Sequence, residues 1–112
     1  MRLTEIEFRD GLPVDGYGPG FFRVGGAVWR GAVAVTPDGV RIWGGWDDTV
    51  FPGIDVLLVG TGAAMAPLPP AFREALEGQG IGVEPMASAS ACRSYNMLLA
   101  EGRRVGLAAL PV

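Results

Sequence analysis

One short stretch limits the fold of this chain more than any other. Residues 55–62 read Asp-Val-Leu-Leu-Val-Gly-Thr-Gly, an apolar run without interruption that stops at a Gly-Thr-Gly. Such a run is typical of a strand buried on both faces, as in parallel sheets covered by helices. Glycines allow a sharp turn after the strand, and open α/β sheets bind ligands at that end. We therefore predict that this is the central strand, and that a small-molecule site would lie at Gly60, Thr61 and Gly62.

After this turn, the pattern alternates helices with strands. A helix is predicted over 69–78, with proline near its start and glycine at its end, and a strand over 81–86. Ser88 and Ser90 offer N-caps for a second helix, from about Ala89 to Glu101, and a third strand follows over 104–110. The order β-α-β-α-β requires right-handed crossovers, and hence parallel strands.

The first third of the chain reads as antiparallel strands. A short edge strand is predicted over Thr4–Phe8 and a glycine-rich loop over 15–20. Gly25-Gly26 then separates strand-like runs over 21–24 and 27–35, which is a hairpin signal because both positions tolerate positive φ. Pro37-Asp38-Gly39 predicts another reversal before a strand over 40–43. Together these segments predict an antiparallel β-meander.

Composition excludes several classes of function. The chain has 112 residues and a net charge of −3, its basic residues are all arginine, and it contains one cysteine and no histidine. We expect one domain over residues 1–112, no nucleic-acid partner, no disulfide within the chain, and neither cysteine-based zinc sites nor histidine-dependent triads. No apolar run approaches the roughly 18 residues of a membrane span, and the N-terminus has no apolar signal core, so we predict a cytoplasmic protein.

Two groups of residues allow both a functional and a structural interpretation. Large aromatic side chains at strand positions could form a ligand cage or a partner surface, although core packing is favoured; they are Phe21, Phe22, Trp29, Trp43 and Trp46. Asp47 and Asp48 lie in an irregular loop over 44–53 and lack the further oxygen ligands of a calcium site. A solvated loop or a helix cap is the favoured role for these two carboxylates.

The predicted second helix carries most of the remaining candidates for chemistry. Cys92 is expected in its first turn beside Arg93, where a thiolate would be favoured, but a buried small side chain is the stronger interpretation. Arg93 and Asn96 could face the Gly60–Gly62 turn and hold an anionic ligand or a partner's carboxylate, and Tyr95 is a further candidate binding residue beside them. Alternatively, Asn96 satisfies backbone groups of that turn. The glycine turn lacks the lysine and the spacing of a phosphate-binding loop.

Several of these segments together resemble one family. They are Gly16–Val24, Leu58–Gly62, Gly80–Met86, Ala91–Leu98 and Glu101–Val105. The family is that of the mitochondrial NADH dehydrogenase (complex I) assembly factor 3 and the adipogenesis-associated domain-containing protein, with uncharacterised bacterial and archaeal homologues. The resemblance covers nearly the whole chain. This chain departs from the family pattern at Ser94, where threonine is usual, and in a shorter loop over 43–54.

The resemblance implies a three-layer α/β fold, with the N-terminal antiparallel β-meander packed on a mixed sheet built from the C-terminal β-α-β-α-β unit. It implies no established enzymatic activity, and we expect no cofactor. It also implies protein partners, such as subunits of respiratory complexes or of membrane-insertion machinery, and a peripheral position at the inner membrane through them. A non-enzymatic assembly or chaperone-like factor is thus expected. The alternative is a small-molecule-binding protein or enzyme using Gly60–Gly62 and Cys92, and a homodimer through an exposed edge strand stays open.

Overall fold

The computed structural model of the chain describes residues 11–112. The edge strand predicted over Thr4–Phe8 lies outside these residues. The elements of the described part are, in chain order, β1 (Val14–Gly18), β2 (Phe21–Val24), β3 (Ala27–Arg30), β4 (Val33–Thr36), β5 (Gly39–Ile42), β6 (Val56–Thr61), α1 (Pro70–Glu77), β7 (Gly82–Met86), α2 (Ser88–Ala100) and β8 (Val105–Leu110). Over residues 11–112, neither helix has the length and apolar character needed to cross a membrane.

β1, β2 and β3 form an antiparallel three-stranded sheet. The hairpin predicted at Gly25-Gly26 is confirmed, with φ angles of 58° and 85° that favour glycine. The predicted glycine-rich loop is wrong over much of its length, because β1 pairs with β2 there. Glycine suits position 18 of this strand, since a Cβ at that position would come within 2.5 Å of the Phe21 ring.

The second hairpin belongs to a different sheet. The arm predicted over 27–35 is interrupted at Gly31, whose φ is 86°, and the chain there passes from β3 to β4. β4 and β5 pair across the turn at Pro37 and Asp38, as predicted, but β4 also pairs with β8. The N-terminal antiparallel strands are therefore divided between two sheets.

The second sheet is mixed and five-stranded, with the order β5-β4-β8-β6-β7. β6 is parallel to both β7 and β8, which confirms the predicted β-α-β-α-β unit. The prediction of β6 as the central strand is wrong, because β8 lies between β6 and β4 and occupies the middle. β6 is nevertheless buried on both faces, as its apolar run predicts: Leu57, Leu58 and Val59 are at most 2% exposed.

Two apolar clusters hold three layers together. On one face of the five-stranded sheet, α2 and the three-stranded sheet pack through residues such as Phe22, Tyr95 and Leu107. On the other face, α1 and the loop over 43–54 pack through Trp43 and Phe72, whose ring centroids are 5.8 Å apart. Of the aromatic side chains considered above, Phe22 and Trp43 are at most 3% exposed, so both belong to the core.

Candidate functional site

The polar groups of the turn after β6 form hydrogen bonds with other residues of the chain. The Thr61 hydroxyl lies 2.7 Å from the Ala64 carbonyl oxygen and 3.1 Å from that of Met86, and it accepts a hydrogen bond of 2.9 Å from the Ala66 amide. The Gly62 carbonyl accepts a hydrogen bond from the Ser88 amide at 2.8 Å. Thr61 thus shapes the loop that follows it.

Ser88 closes the end of the sheet at this turn. Its hydroxyl accepts a hydrogen bond of 2.8 Å from the Gly62 amide and donates one of 2.6 Å to the Leu110 carbonyl, and the residue is fully buried. Gly60 allows this close approach, because a Cβ there would lie 2.6 Å from Ser88 Oγ and 2.8 Å from Ser88 Cα. The ends of β6 and β8 and the first residue of α2 are therefore joined through one side chain.

The serines do not cap α2 as predicted. The helix begins at Ser88, and the residue in the N-cap position is Ala87, which makes no capping bond through its side chain. A serine at the first helical position directs its hydroxyl toward other partners, here the ends of β6 and β8. The expected cap is therefore wrong, and the same residue has a tertiary role instead.

Cys92 lies in the core, one residue beyond the first turn of α2, in which it was predicted. It is 3% exposed and belongs to the apolar cluster between α2 and the five-stranded sheet. Burial raises the pKa of its thiol to about 11, and the nearby charge of Arg93 only partly opposes this shift. The thiol is consequently protonated at neutral pH, which agrees with a packing role.

Tyr95 and Asn96 bind the segment that leads into β1. The Tyr95 hydroxyl donates a hydrogen bond of 2.8 Å to the Leu12 carbonyl, and burial raises the pKa of this phenol. The Asn96 amide accepts a bond of 2.8 Å from the Val14 amide and donates one of 2.7 Å to the Val14 carbonyl. Asn96 therefore pairs with Val14 much as a neighbouring strand would.

The predicted site residues are thus placed in separate surroundings. Gly60, Thr61 and Gly62 meet Ser88, whereas Tyr95 and Asn96 meet the segment around β1. Cys92 is in the core, and Arg93 is exposed, with its guanidinium 3.3 Å from the Ser90 hydroxyl. A binding role for these residues stays a prediction.

Asp48 organises the loop between β5 and β6. Its carboxylate accepts hydrogen bonds from the Arg41 guanidinium, including one of 3.0 Å, and another of 2.9 Å from the Gly44 amide. The hydrogen bond from Arg41 is the main reason why the pKa of Asp48 lies below its usual value. Within residues 11–112, no cluster of three or more carboxylate or cysteine side chains could hold a metal ion.

The structure also shows a pocket that sequence reasoning missed. It has a volume of about 270 Å³, and it lies between β5 and the loop over 43–54; its lining residues are Thr36, Asp38, Gly39, Val40, Arg41, Val50 and Pro52. Val50 is 68% exposed beside this pocket, and Ile42 is 55% exposed on β5. The strand and the reversal before it are predictable from Pro37-Asp38-Gly39. The pattern of apolar residues in the sequence does not reveal, however, that this strand lies at the edge of the sheet.

The two edges of the five-stranded sheet differ in their protection. Among residues 11–112, β4 is the strand that pairs with β5, and the other side of β5, which has no strand partner within these residues, is called the open edge of β5. At the opposite edge, β7 contains Pro85, which has no amide hydrogen, and Glu84, which is exposed. Proline and charge are common ways of preventing unwanted strand pairing. β5 contains no proline, and Arg41, its one charged side chain, binds Asp48.

Fold and site together define a mixed α/β protein in which hydrogen bonds within the chain close the end of β6, and in which β5 has one strand partner, β4, among residues 11–112. A family model described as a protein of unknown function (DUF498/DUF598) matches residues 14–110. The chain belongs to this family, which confirms the family predicted from sequence.

Two relatives illustrate the range of the family. An uncharacterised protein of Rhodobacter capsulatus is 48% identical over 117 residues, which cover 100% of this chain and 94% of that protein. NADH dehydrogenase (ubiquinone) 1 alpha subcomplex assembly factor 3 of Mus musculus is 31% identical over 123 residues, which cover 99% of this chain and 66% of the mouse protein. The chain therefore spans about two thirds of the mouse assembly factor.

Solved structures confirm the fold class. A crystal structure of a Bordetella parapertussis protein matches with a TM-score of 0.80 at 35% identity, covering 91% of this chain and 97% of that chain. A solution structure of a Bordetella pertussis protein, described as a Mth938-like domain, matches with a TM-score of 0.76 at 29% identity. The match covers 99% of this chain and 91% of that chain. The three-layer α/β architecture is thus shared with experimentally determined structures.

Proposed function

We propose that this chain is a non-enzymatic, protein-binding assembly factor for a respiratory NADH dehydrogenase, and that it holds an extended segment of a partner at the open edge of β5. It works in the cytoplasm and reaches the inner membrane through its partners. The family-level support is the 31% identity with the mouse assembly factor across 99% of this chain. The structural support is the open edge of β5.

The edge of β5 offers the groups that an extended peptide needs. A strand at the edge of a sheet presents backbone amide and carbonyl groups, which another strand can pair with. Along such an added strand, alternate side chains point to the same side, so that one of them can enter a neighbouring pocket. The pocket between β5 and Val50 has room for one or two apolar side chains, at about 270 Å³. The backbone pairing would supply affinity, and the pocket would supply selectivity.

Affinity capture with edge variants tests this function. The tagged full chain is expected to recover NADH dehydrogenase subunits from gently solubilised membranes of its source organism. Ile42→Lys and Val50→Glu place charge on the exposed apolar part of the β5 surface, and each should reduce the recovery at least roughly tenfold. Met97→Glu is the matched control, because Met97 is 58% exposed on α2, and it should leave the recovery unchanged.

Three results would contradict the proposal. Recovery of the chain without dehydrogenase subunits removes the assembly role. Equal loss of recovery in Met97→Glu shows that the effect is not specific to β5. A metabolite that raises the melting temperature of the wild-type chain, but not of a chain altered at Arg93, would favour the small-molecule alternative instead.

A further inference from the structure

The outward face of the three-stranded sheet is a surface that the proposed function does not use. Phe22 in β2 is fully buried against the core, so its neighbours Phe21 and Arg23 point to the opposite face. The register of the sheet places Arg30 opposite Phe21 and Val28 opposite Arg23. Two apolar and two cationic side chains therefore share this face.

The face is flat on the side of β1. The β1 residues that pair with Arg23 and Phe21 are Gly16 and Gly18, which carry no side chains. The Phe21 ring lies across Gly18, since a Cβ there would be 2.5 Å from the ring. Val28 is 49% exposed on the other flank. A partner segment can therefore lie directly on an aromatic ring and a valine.

The two arginines on this face are close neighbours with like charge. Diagonal positions on adjacent strands are about 7–8 Å apart, and this is the relation of Arg23 to Arg30. In the part of the chain that the structure describes, no carboxylate lies within ion-pair distance of either residue, whereas three other arginines have such partners: Arg41 with Asp48, Arg73 with Glu77, and Arg104 with Asp55. Anions bound between Arg23 and Arg30 would relieve their mutual repulsion.

We infer that this face binds an acidic segment of a partner protein, with carboxylates on Arg23 and Arg30 and an apolar side chain on Phe21 and Val28. Guanidinium groups bind carboxylates through paired hydrogen bonds. Single exposed ion pairs contribute little, so two pairs and an apolar contact are needed together. Two arginines are fewer than the set of cationic side chains that contacts successive phosphates in nucleic-acid binding, so an acidic protein segment fits this face better. The inference rests on the proposed protein-binding function and adds the charge of the partner.

The test uses a short fluorescein-labelled peptide in which glutamate and leucine alternate, and its binding to the full chain is followed by fluorescence anisotropy. Arg23→Glu and Arg30→Glu should each weaken binding roughly tenfold, and the double variant further. Arg103→Glu makes the same change of charge at an exposed position outside this face, and it should leave binding within about twofold of wild type. Raising the salt from about 50 to about 250 mM should weaken binding to the wild-type chain. All the exchanged side chains are exposed, so the melting temperatures should stay close to that of the wild type.

The remaining outcomes overturn the inference. Absence of peptide binding, or an equal loss in Arg103→Glu, excludes a specific acidic-segment site. Binding to phosphatidylglycerol vesicles in place of the peptide indicates that the face binds a membrane surface.

Capture of dehydrogenase subunits tests the proposed function separately. If capture succeeds while charge reversal leaves peptide binding unchanged, only this inference fails; if capture fails while charge reversal abolishes peptide binding, only the dehydrogenase assignment fails.

Discussion

The carboxyl end of β6 and the open edge of β5 belong to the same sheet, but they use their polar groups in opposite ways. At the end of β6, Thr61 and Ser88 make short hydrogen bonds within the chain, and Gly60 lets Ser88 approach the strand closely. At β5, the outer side has no strand partner among residues 11–112, and Ile42 and Val50 are exposed beside it. The sheet end contributes stability, whereas the edge of β5 is where we propose that a partner binds.

This contrast changes the expectation for substitutions in the two regions. Substitutions of residues whose polar groups are hydrogen-bonded inside the chain should lower the free energy of unfolding strongly, because the loss of one group leaves its partner buried and unpaired. Substitutions of exposed residues at the edge of β5 should change the free energy of unfolding little but should weaken partner binding strongly. If substitutions in the two regions had similar effects, this division would be wrong.

Gly60→Ala should have the largest effect on stability. The added Cβ would lie 2.8 Å from Ser88 Cα, so the backbone of α2 must move. We expect a loss of about 3 kcal/mol in the free energy of unfolding, measured by urea denaturation. Gly16→Ala is the control, since a Cβ there meets nothing within 4 Å. Equal stability of the two variants would mean that the turn tolerates a side chain and is looser than the structure indicates.

Asn96→Ala should have the next largest effect. It removes both hydrogen bonds to Val14 and leaves that backbone amide and carbonyl partly buried. We expect a loss of about 2 kcal/mol, seen as a lower melting temperature by circular dichroism. Met97→Ala, on the exposed side of the same helix, should change the melting temperature little. An unchanged melting temperature with lost capture of partners would instead make Asn96 a binding residue.

Asp48→Asn should destabilise the loop beside the β5 pocket in a pH-dependent manner. The folded pKa of Asp48 lies below its value of 3.8 in an unfolded chain, mainly because of the hydrogen bond from Arg41. The carboxylate therefore stabilises the fold above pH 3.8, and this contribution is lost as the pH falls through the folded pKa. The stability difference between wild type and variant should be full at pH 6 and should shrink at about pH 3. A difference that is constant with pH would exclude the carboxylate as its source.

The Cys92 thiol should react very slowly in the folded protein. Its pKa of about 11 leaves little thiolate at pH 8, and its side chain is 3% exposed. Alkylation with iodoacetamide should proceed only slightly in native buffer and to completion in guanidinium chloride, as followed by mass spectrometry. Rapid native alkylation would reopen a chemical role for this residue.

Val50→Glu should have the smallest effect on stability. The side chain is 68% exposed, so the free energy of unfolding should change by no more than about 0.5 kcal/mol. The same variant should lose partner capture through β5. A strongly destabilised Val50→Glu chain would show that the edge is as structural as the sheet end, and the division drawn above would not hold.

Sequence predicts the parts of this fold that depend on local patterns. The apolar run of β6, the proline and glycine at the ends of α1, and the Gly25-Gly26 hairpin all follow from residue types within a few positions. The family is also predictable, because short motifs occur together across nearly the whole chain. These features required no knowledge of contacts between distant segments.

The remaining features depend on such contacts. Asn96 and Val14 are 82 positions apart, and Ser88 and Leu110 are 22 apart, so no local pattern reveals these hydrogen bonds. The transfer of β4 to the second sheet depends on its pairing with β8, at the other end of the described chain. The open edge of β5 follows from the same strand order. Ser88 is a plausible helix cap in the sequence, and only the tertiary structure shows that its hydroxyl binds Gly62 and Leu110 instead.

The position of β8 determines when the larger sheet can form. β8 is the last strand in chain order, yet it lies between β4 and β6 and connects the β4–β5 hairpin to the parallel strands. During synthesis, these two halves have no common strand until residues 105–110 are available. Non-local pairing of this kind slows folding, and it leaves strand edges exposed in the meantime. Protection of the nascent chain from aggregation is therefore most needed just before β8 emerges.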